Sequence, residues 1–75
     1  MIAILFFGRV ADLLGKRRMD MALPAGGLTL ETLRNQLFAE GDPRLRMSVN
    51  QVVVTSDQSL ADGDEVAFFS VFSGG

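Results

Sequence analysis

The chain closes on Gly74-Gly75, directly after an apolar, strand-like run, Val66-Ala67-Phe68-Phe69-Ser70-Val71-Phe72. Neither terminal residue carries a Cβ, so together they make a thread thin enough for a channel that would reject any side chain. The carboxylate at the tip is ionised at neutral pH, because an unperturbed α-carboxyl titrates near pKa ~3.5. An exposed carboxylate on such a thread is a natural substrate for activation by ATP. The bland alternative is a frayed end, since chain termini are often poorly ordered. A second set of candidate groups is Asp62, Asp64 and Glu65. Asp62-Gly63-Asp64 reads as a tight turn, where Asp and Gly are favoured for local backbone reasons. With no pocket to desolvate them, these carboxylates are expected to keep ordinary pKa values.

The residue types that are missing sharpen this choice. The chain has no His, Cys, Tyr or Trp. It therefore lacks the commonest general base, the best nucleophile and the usual transition-metal ligands. The composition describes something acted upon rather than something that acts. At 75 residues, with 48% of them hydrophobic, the chain is one small globular domain. A domain of that size buries only about 60% of its unfolded surface, too little for a core and a deep cleft together. The formal net charge of −2 argues against nucleic acid as a partner. Lys16-Arg17-Arg18, with Arg44 and Arg46, reads as solvated turns. No apolar run is long enough to span a bilayer, and no secretory signal precedes Ile2-Ala3-Ile4-Leu5-Phe6-Phe7, so no membrane partner and a cytoplasmic location are expected.

The elements that would position the tail follow from periodicity. Residues 2–7 suit a buried strand ended by Gly8. Val10, Leu13 and Leu14 fall at i, i+3 and i+4, which predicts a short helix from Arg9 to Leu14 capped by Gly15. Arg18 to Leu23 alternates polar and apolar, the pattern of a half-buried strand. Thr29 sits where a helix N-cap belongs, with Glu31 in the first turn. Leu30, Leu33, Leu37 and Phe38 then form one apolar stripe, leaving Arg34, Asn35 and Gln36 to water, and Gly41-Asp42-Pro43 is expected to stop the helix. A β-rich stretch follows from Met47 to Thr55, then a loop plugged by Leu60, then a last strand from Glu65. The first and last strands are the most apolar and should be central. The economical arrangement is an α+β roll, a mixed sheet packed on one main helix.

This order of elements resembles the ubiquitin-like β-grasp. The opening Ile2-Ala3-Ile4-Leu5-Phe6-Phe7, the helix start Thr29-Leu30-Glu31-Thr32-Leu33-Arg34, the Val49-Asn50-Gln51 step, the run Leu60-Ala61-Asp62-Gly63-Asp64-Glu65-Val66-Ala67-Phe68-Phe69 and the Gly74-Gly75 end are together similar to the family of molybdopterin synthase small subunits. The Asp-Gly-Asp-Glu-Val turn and the Gly-Gly end also occur in other prokaryotic sulfur carriers, including the one serving thiamin synthesis. The double Phe in both outer strands of the sequence favours the molybdopterin branch. The resemblance implies a β-grasp domain over residues 1–70 and a tail over residues 71–75. It implies that Gly75 carries the chemistry, with Gly74 as part of the tail: an adenylating enzyme of the ubiquitin-activating type uses ATP on the Gly75 carboxylate, and a persulfide protein supplies the sulfur of a thiocarboxylate. The large synthase subunit, in a heterotetramer, then receives the tail, and the sulfur goes to a pyranopterin precursor to build the dithiolene. No tightly bound cofactor is implied.

A tail alone binds weakly, because ordering five residues costs on the order of 5–10 kcal/mol at ~1–2 kcal/mol each. A docking face on the domain is therefore expected. If Ile2, Ile4 and Phe6 point toward the helix, Ala3, Leu5 and Phe7 point away, and on the last strand Ala67 and Phe69 do the same. Leu5, Phe7 and Phe69, with Val53 added, then form an apolar patch, and Phe72 extends it along the tail. Burying four such side chains is worth a gross ~6–12 kcal/mol at ~1.5–3 kcal/mol each, against an association cost of ~4–15 kcal/mol. A one-residue slip in register would turn the same residues into core. Other readings are a sulfur carrier for thiamin or cysteine synthesis, a ubiquitin-like protein modifier, and a passive interaction module.

Overall fold

The first and last strands lie side by side. In the computed structural model, which describes residues 1–38 and 44–70, β1 (Ile2–Phe6) pairs in parallel with β7 (Glu65–Ser70). Parallel neighbours require a crossover, and here almost the whole domain supplies it. Between them come α1 (Arg9–Leu14), β2 (Arg18–Met21), β3 (Leu28–Thr29), α2 (Leu30–Leu37), β4 (Leu45–Val49), β5 (Val52–Val54) and β6 (Ser59–Leu60). The main sheet has the order β2-β1-β7-β4-β5, antiparallel except at its centre, and β3 pairs with β6 in a small second ladder.

The inner face of the sheet carries the core. Ile2, Ile4, Val66 and Phe68 are fully buried, and Phe6 nearly so. Ile4 lies opposite Val66 and Phe6 opposite Phe68. The two Phe rings stack with centroids 6.0 Å apart, and Phe38 tilts onto Phe68 at 5.2 Å. Both separations fall in the range where aromatic pairs add to simple area burial. Leu30 and Leu33 bring α2 down onto this layer, and Leu60 closes its edge from β6 as the expected plug.

The start of α2 is fully engaged. Thr29 Oγ1 accepts a hydrogen bond from the Thr32 N–H at 3.2 Å, the expected N-cap. The Glu31 N–H donates to Asp57 Oδ1 at 2.8 Å and the Leu30 N–H to the Gln58 carbonyl at 2.9 Å. The loop before β6 thus satisfies first-turn donors that have no partner inside the helix. At the other end α2 finishes at Leu37, where Phe38 turns extended to reach Phe68. The expected stop, Gly41-Asp42-Pro43, lies outside the described residues.

Three local expectations are corrected. The stretch from Met47 to Thr55 is a hairpin, with Met47 opposite Val54 and Val49 opposite Val52. Its two-residue turn, Asn50-Gln51, has both residues at positive φ (52° and 71°), the twist that suits an antiparallel pair. Leu13 faces solvent rather than the core, because α1 is only six residues long and buries Val10 while Ala11 and Leu14 pack at its margin. The second strand ends at Met21, with Met19, Met21 and Leu23 packed inward as the alternation requires.

Substitutions in the central pair should rank by lost volume. Phe68→Ala should cost ~3–5 kcal/mol and Ile4→Val ~0.5–1.5 kcal/mol. Denaturant titration should show that order in the midpoints, and equal midpoints would show that the pair is not the centre of the core.

Candidate docking surface and tail root

Register assigns the outer face of the sheet residue by residue. Arg18 pairs with Leu5, Leu5 lies beside Ala67, Ala67 opposite Ser48, and Ser48 opposite Val53. These five make one row across all five strands. One step toward the end of β7, Phe69 lies opposite Arg46. Phe7, one residue past β1, keeps the parity of Leu5, and its N–H donates to the Phe68 carbonyl at 3.1 Å.

The large side chains of this face stay accessible. Phe7 is 52% exposed and Val53 58%, while Leu5 and Phe69 are half-buried. Ala67 and Ser48, at the middle of the row, are buried beneath their larger neighbours. The result is a floor of small side chains flanked by apolar ones, on the face opposite the one that α2 covers. Leu5, Phe7, Val53 and Phe69 are therefore gathered on one surface. Phe72, Gly74 and Gly75 lie outside the described residues. Sequence reasoning turned Ala67 outward but missed Ser48 beside it and Arg18 and Arg46 at the margin, because only the strand order brings them to this face.

The acidic cluster has a structural task. Asp64 accepts hydrogen bonds from the Ala61 N–H at 2.8 Å and from Asn50 Nδ2 at 3.0 Å. Asn50 Oδ1 accepts from the Glu65 N–H at 3.0 Å, and the Asn50 N–H donates to the Glu65 carbonyl at 2.8 Å. The hairpin turn is thereby clamped to the first residue of β7. Gly63, at φ +89°, lets the Asp64 N–H close a turn onto the Ala61 carbonyl at 3.0 Å. That positive φ is the position where a Cβ would be strained.

Asp62 corrects the expectation of unshifted carboxylates. A hydrogen bond from the Met1 ammonium, with the attraction of its charge, holds the Asp62 carboxyl below its ordinary value, aided by the Gly63 N–H and opposed by slight desolvation. A carboxyl lowered in the folded state stabilises the fold above its unfolded pKa and loses that contribution as pH falls through the folded value. Both partners are open to solvent, so the contribution is small. Among the described residues no cluster of His, Cys, Asp and Glu could hold a metal ion, and no helix is long and apolar enough to cross a membrane.

A mixed sheet over one helix, with parallel first and last strands and an uncovered apolar face, defines a ubiquitin-like β-grasp protein. A crystal structure of SAMP1 from Haloferax volcanii superposes with a TM-score of 0.68, covering 99% of this chain and 98% of that one at 24% identity, which establishes the likeness of fold. Residues 4–75 match the ThiS family, and the chain belongs to that family. The molybdopterin synthase sulfur carrier subunit of Escherichia coli is 40% identical over 83 aligned residues, covering all of both chains. That of Haemophilus influenzae is 29% identical over the same span.

Exposed and clamped positions should separate in a stability measurement. Phe7→Asp should fold with a melting curve close to wild type, since surface substitutions usually fall within ~0.5 kcal/mol. Asn50→Ala should cost ~1–3 kcal/mol, the loss of two side-chain hydrogen bonds. An unfolded Phe7→Asp chain would place Phe7 in the core instead.

Proposed function

We propose that this chain is the sulfur-carrier small subunit of molybdopterin synthase, with Gly75 as its reacting residue. The observation that carries the reading is the 40% identity, across the whole length of both chains, to a protein named for that role. The uncovered face formed by Leu5, Phe7, Val53 and Phe69 supports it, because a carrier needs a surface by which successive enzymes hold it.

The chemistry follows from the leaving group. A carboxylate is a poor acyl donor, since oxide would have to leave. The Gly75 carboxylate attacks the α-phosphorus of ATP on an adenylating partner, and pyrophosphate departs. The terminal sulfur of a persulfide protein then attacks the acyl carbon and AMP departs. A thiol cleaves the resulting S–S bond, leaving a thiocarboxylate on Gly75 and a disulfide on the donor. In the large subunit the thiocarboxylate gives its sulfur to the pyranopterin precursor, and hydrolysis restores the carboxylate for another round. ATP belongs to the activating partner, the carrier itself holds no cofactor tightly, and we place the cycle in the cytoplasm. Two such rounds supply the dithiolene. No catalytic group is required of the carrier, in keeping with a sequence that has no His and no Cys.

The two contacts share the affinity. Phe7 and Val53 retain a little over half of their surface in the free domain, and Leu5 and Phe69 retain less. Docking therefore buries anew about half of Phe7 and of Val53 and a smaller share of Leu5 and Phe69, a gross of at most ~3–5 kcal/mol at ~1.5–3 kcal/mol for full burial. That reaches only the lower part of the ~4–15 kcal/mol association cost, so the tail must contribute contacts of its own. From Ser70 the five residues 71–75 can reach at most about 17 Å, at ~3.3–3.6 Å per residue.

Incubation with the adenylating enzyme, ATP and a persulfide source should raise the intact mass by the difference between one sulfur and one oxygen. A variant extended by one residue past Gly75 should show no such gain. A folded wild-type chain that never acquires the sulfur would refute the proposal, as would binding to a thiazole synthase and not to the large subunit of molybdopterin synthase.

A further inference from the structure

The main sheet ends in two edge strands, β2 and β5, and their chemistry differs. β2 carries Arg18 and Asp20, joined at 3.2 Å. Charged side chains on an edge strand discourage pairing with another chain. β5 carries Val52, Val53 and Val54, and no charged residue stands between Asn50 and Ser56. Val52 is 65% exposed and Val53 58%, although their side chains leave opposite faces of the sheet. An edge with bare β-branched side chains on both faces is a template for strand addition.

The register fixes which backbone groups are open there. The Asn50 N–H donates to the Glu65 carbonyl on β7. Even-numbered residues of β4 therefore turn their backbone groups toward β7, and odd-numbered ones toward β5. Met47 and Val49 bond Val54 and Val52, their partners on β5. Val53, opposite Ser48, is left with its N–H and C=O pointing away from β4, out of the open edge.

We propose that the occupant of this edge is the same edge of a second copy, so that two five-stranded sheets join into one of ten strands. The strand is its own complement. An antiparallel register centred on Val53 lets the two Val53 residues exchange both backbone hydrogen bonds. It sets Val52 of each copy against Val54 of the other, and neutral Gln51 near neutral Thr55. The acidic residues Asp64 and Glu65, held at each Asn50 turn, stay at opposite ends of the contact because the paired strands run oppositely. The twofold axis stands perpendicular to the sheet, so Leu5, Phe7 and Phe69 of both copies remain accessible on one side. A stable interface engages about 20–30 residues a side and this one about three to five, so the pairing is weak and follows concentration. It holds whether or not the chain is a sulfur carrier.

The test is sedimentation of the intact chain over a roughly hundredfold range of concentration, read beside solvent exchange of the β5 amides by NMR. The mean mass should rise toward that of a dimer. Exchange at the Val53 amide should fall to about half its rate when half of the chains are paired, while Val52 and Val54, already bonded to β4, stay unchanged. Val53→Pro removes the edge donor and Val52→Lys sets a charge on the edge, and each should remain monomeric throughout. Should Val53→Pro fail to fold, Val52→Lys decides, because that side chain stands in solvent. A wild-type chain that stays monomeric at the highest concentration, or a dimer that survives Val52→Lys, would overturn the pairing. Loss of the dimer in Phe7→Asp but not in Val52→Lys would move the contact to the outer face, against the proposal. Protection of Val53 that appears only when the large synthase subunit is added would give the edge to a foreign strand and equally refute self-pairing.

Discussion

The parallel pairing of β1 with β7 is the constraint from which the other features follow. Two strands from opposite ends of the chain are locked by stacked Phe6 and Phe68, and their common parity sends Ile4 and Val66 inward. The same parity sends Leu5, Ala67 and Phe69 outward. Because side chains alternate with a period of two, a slip of one residue would exchange core and surface over the whole sheet. The pairing also sets where β7 ends, with Phe7 bonded to Phe68 on one side and Leu45 opposite Ser70 on the other.

Polar contacts hold that register at the opposite end. The Ala3 N–H donates to the Asp64 carbonyl at 3.0 Å, while the Asp64 carboxylate and Asn50 bind the hairpin turn to the start of β7. Asp64 therefore joins three segments distant in sequence. The acidic run read from the sequence as a tight turn forms that turn, and through Asp64 it also fastens the sheet. The proposed division of labour has the carrier supply an acyl group and a surface, and its partners supply the reaction.

Local signals were legible in the sequence where one residue type had one physical task. Thr29 before an apolar stripe marked the start of α2, Gly15 marked the end of α1 in the left-handed conformation, and alternation marked β2. The outward parity of Leu5 and Phe69 was also readable, conditional on the two strands being neighbours. The hairpin escaped because Asn50-Gln51 lacks the Gly that usually announces such a turn, although both residues adopt positive φ. The ladder of β3 with β6 is two residues long and leaves no periodic trace. The Asp57 contact to α2 and the Met1 contact to Asp62 depend on residues far apart in the chain, which no local pattern records.

The central claim, that the outer face of the β1–β7 pair is the surface held by partners while the tail reacts, is tested most directly by methyl NMR of the intact chain titrated with the large synthase subunit. The account predicts shifts or broadening at the methyls of Leu5, Val53 and Ala67, with those of Ile4, Leu33 and Val66 unchanged. A tight complex that perturbs α2 and leaves Leu5, Val53 and Ala67 untouched would contradict it.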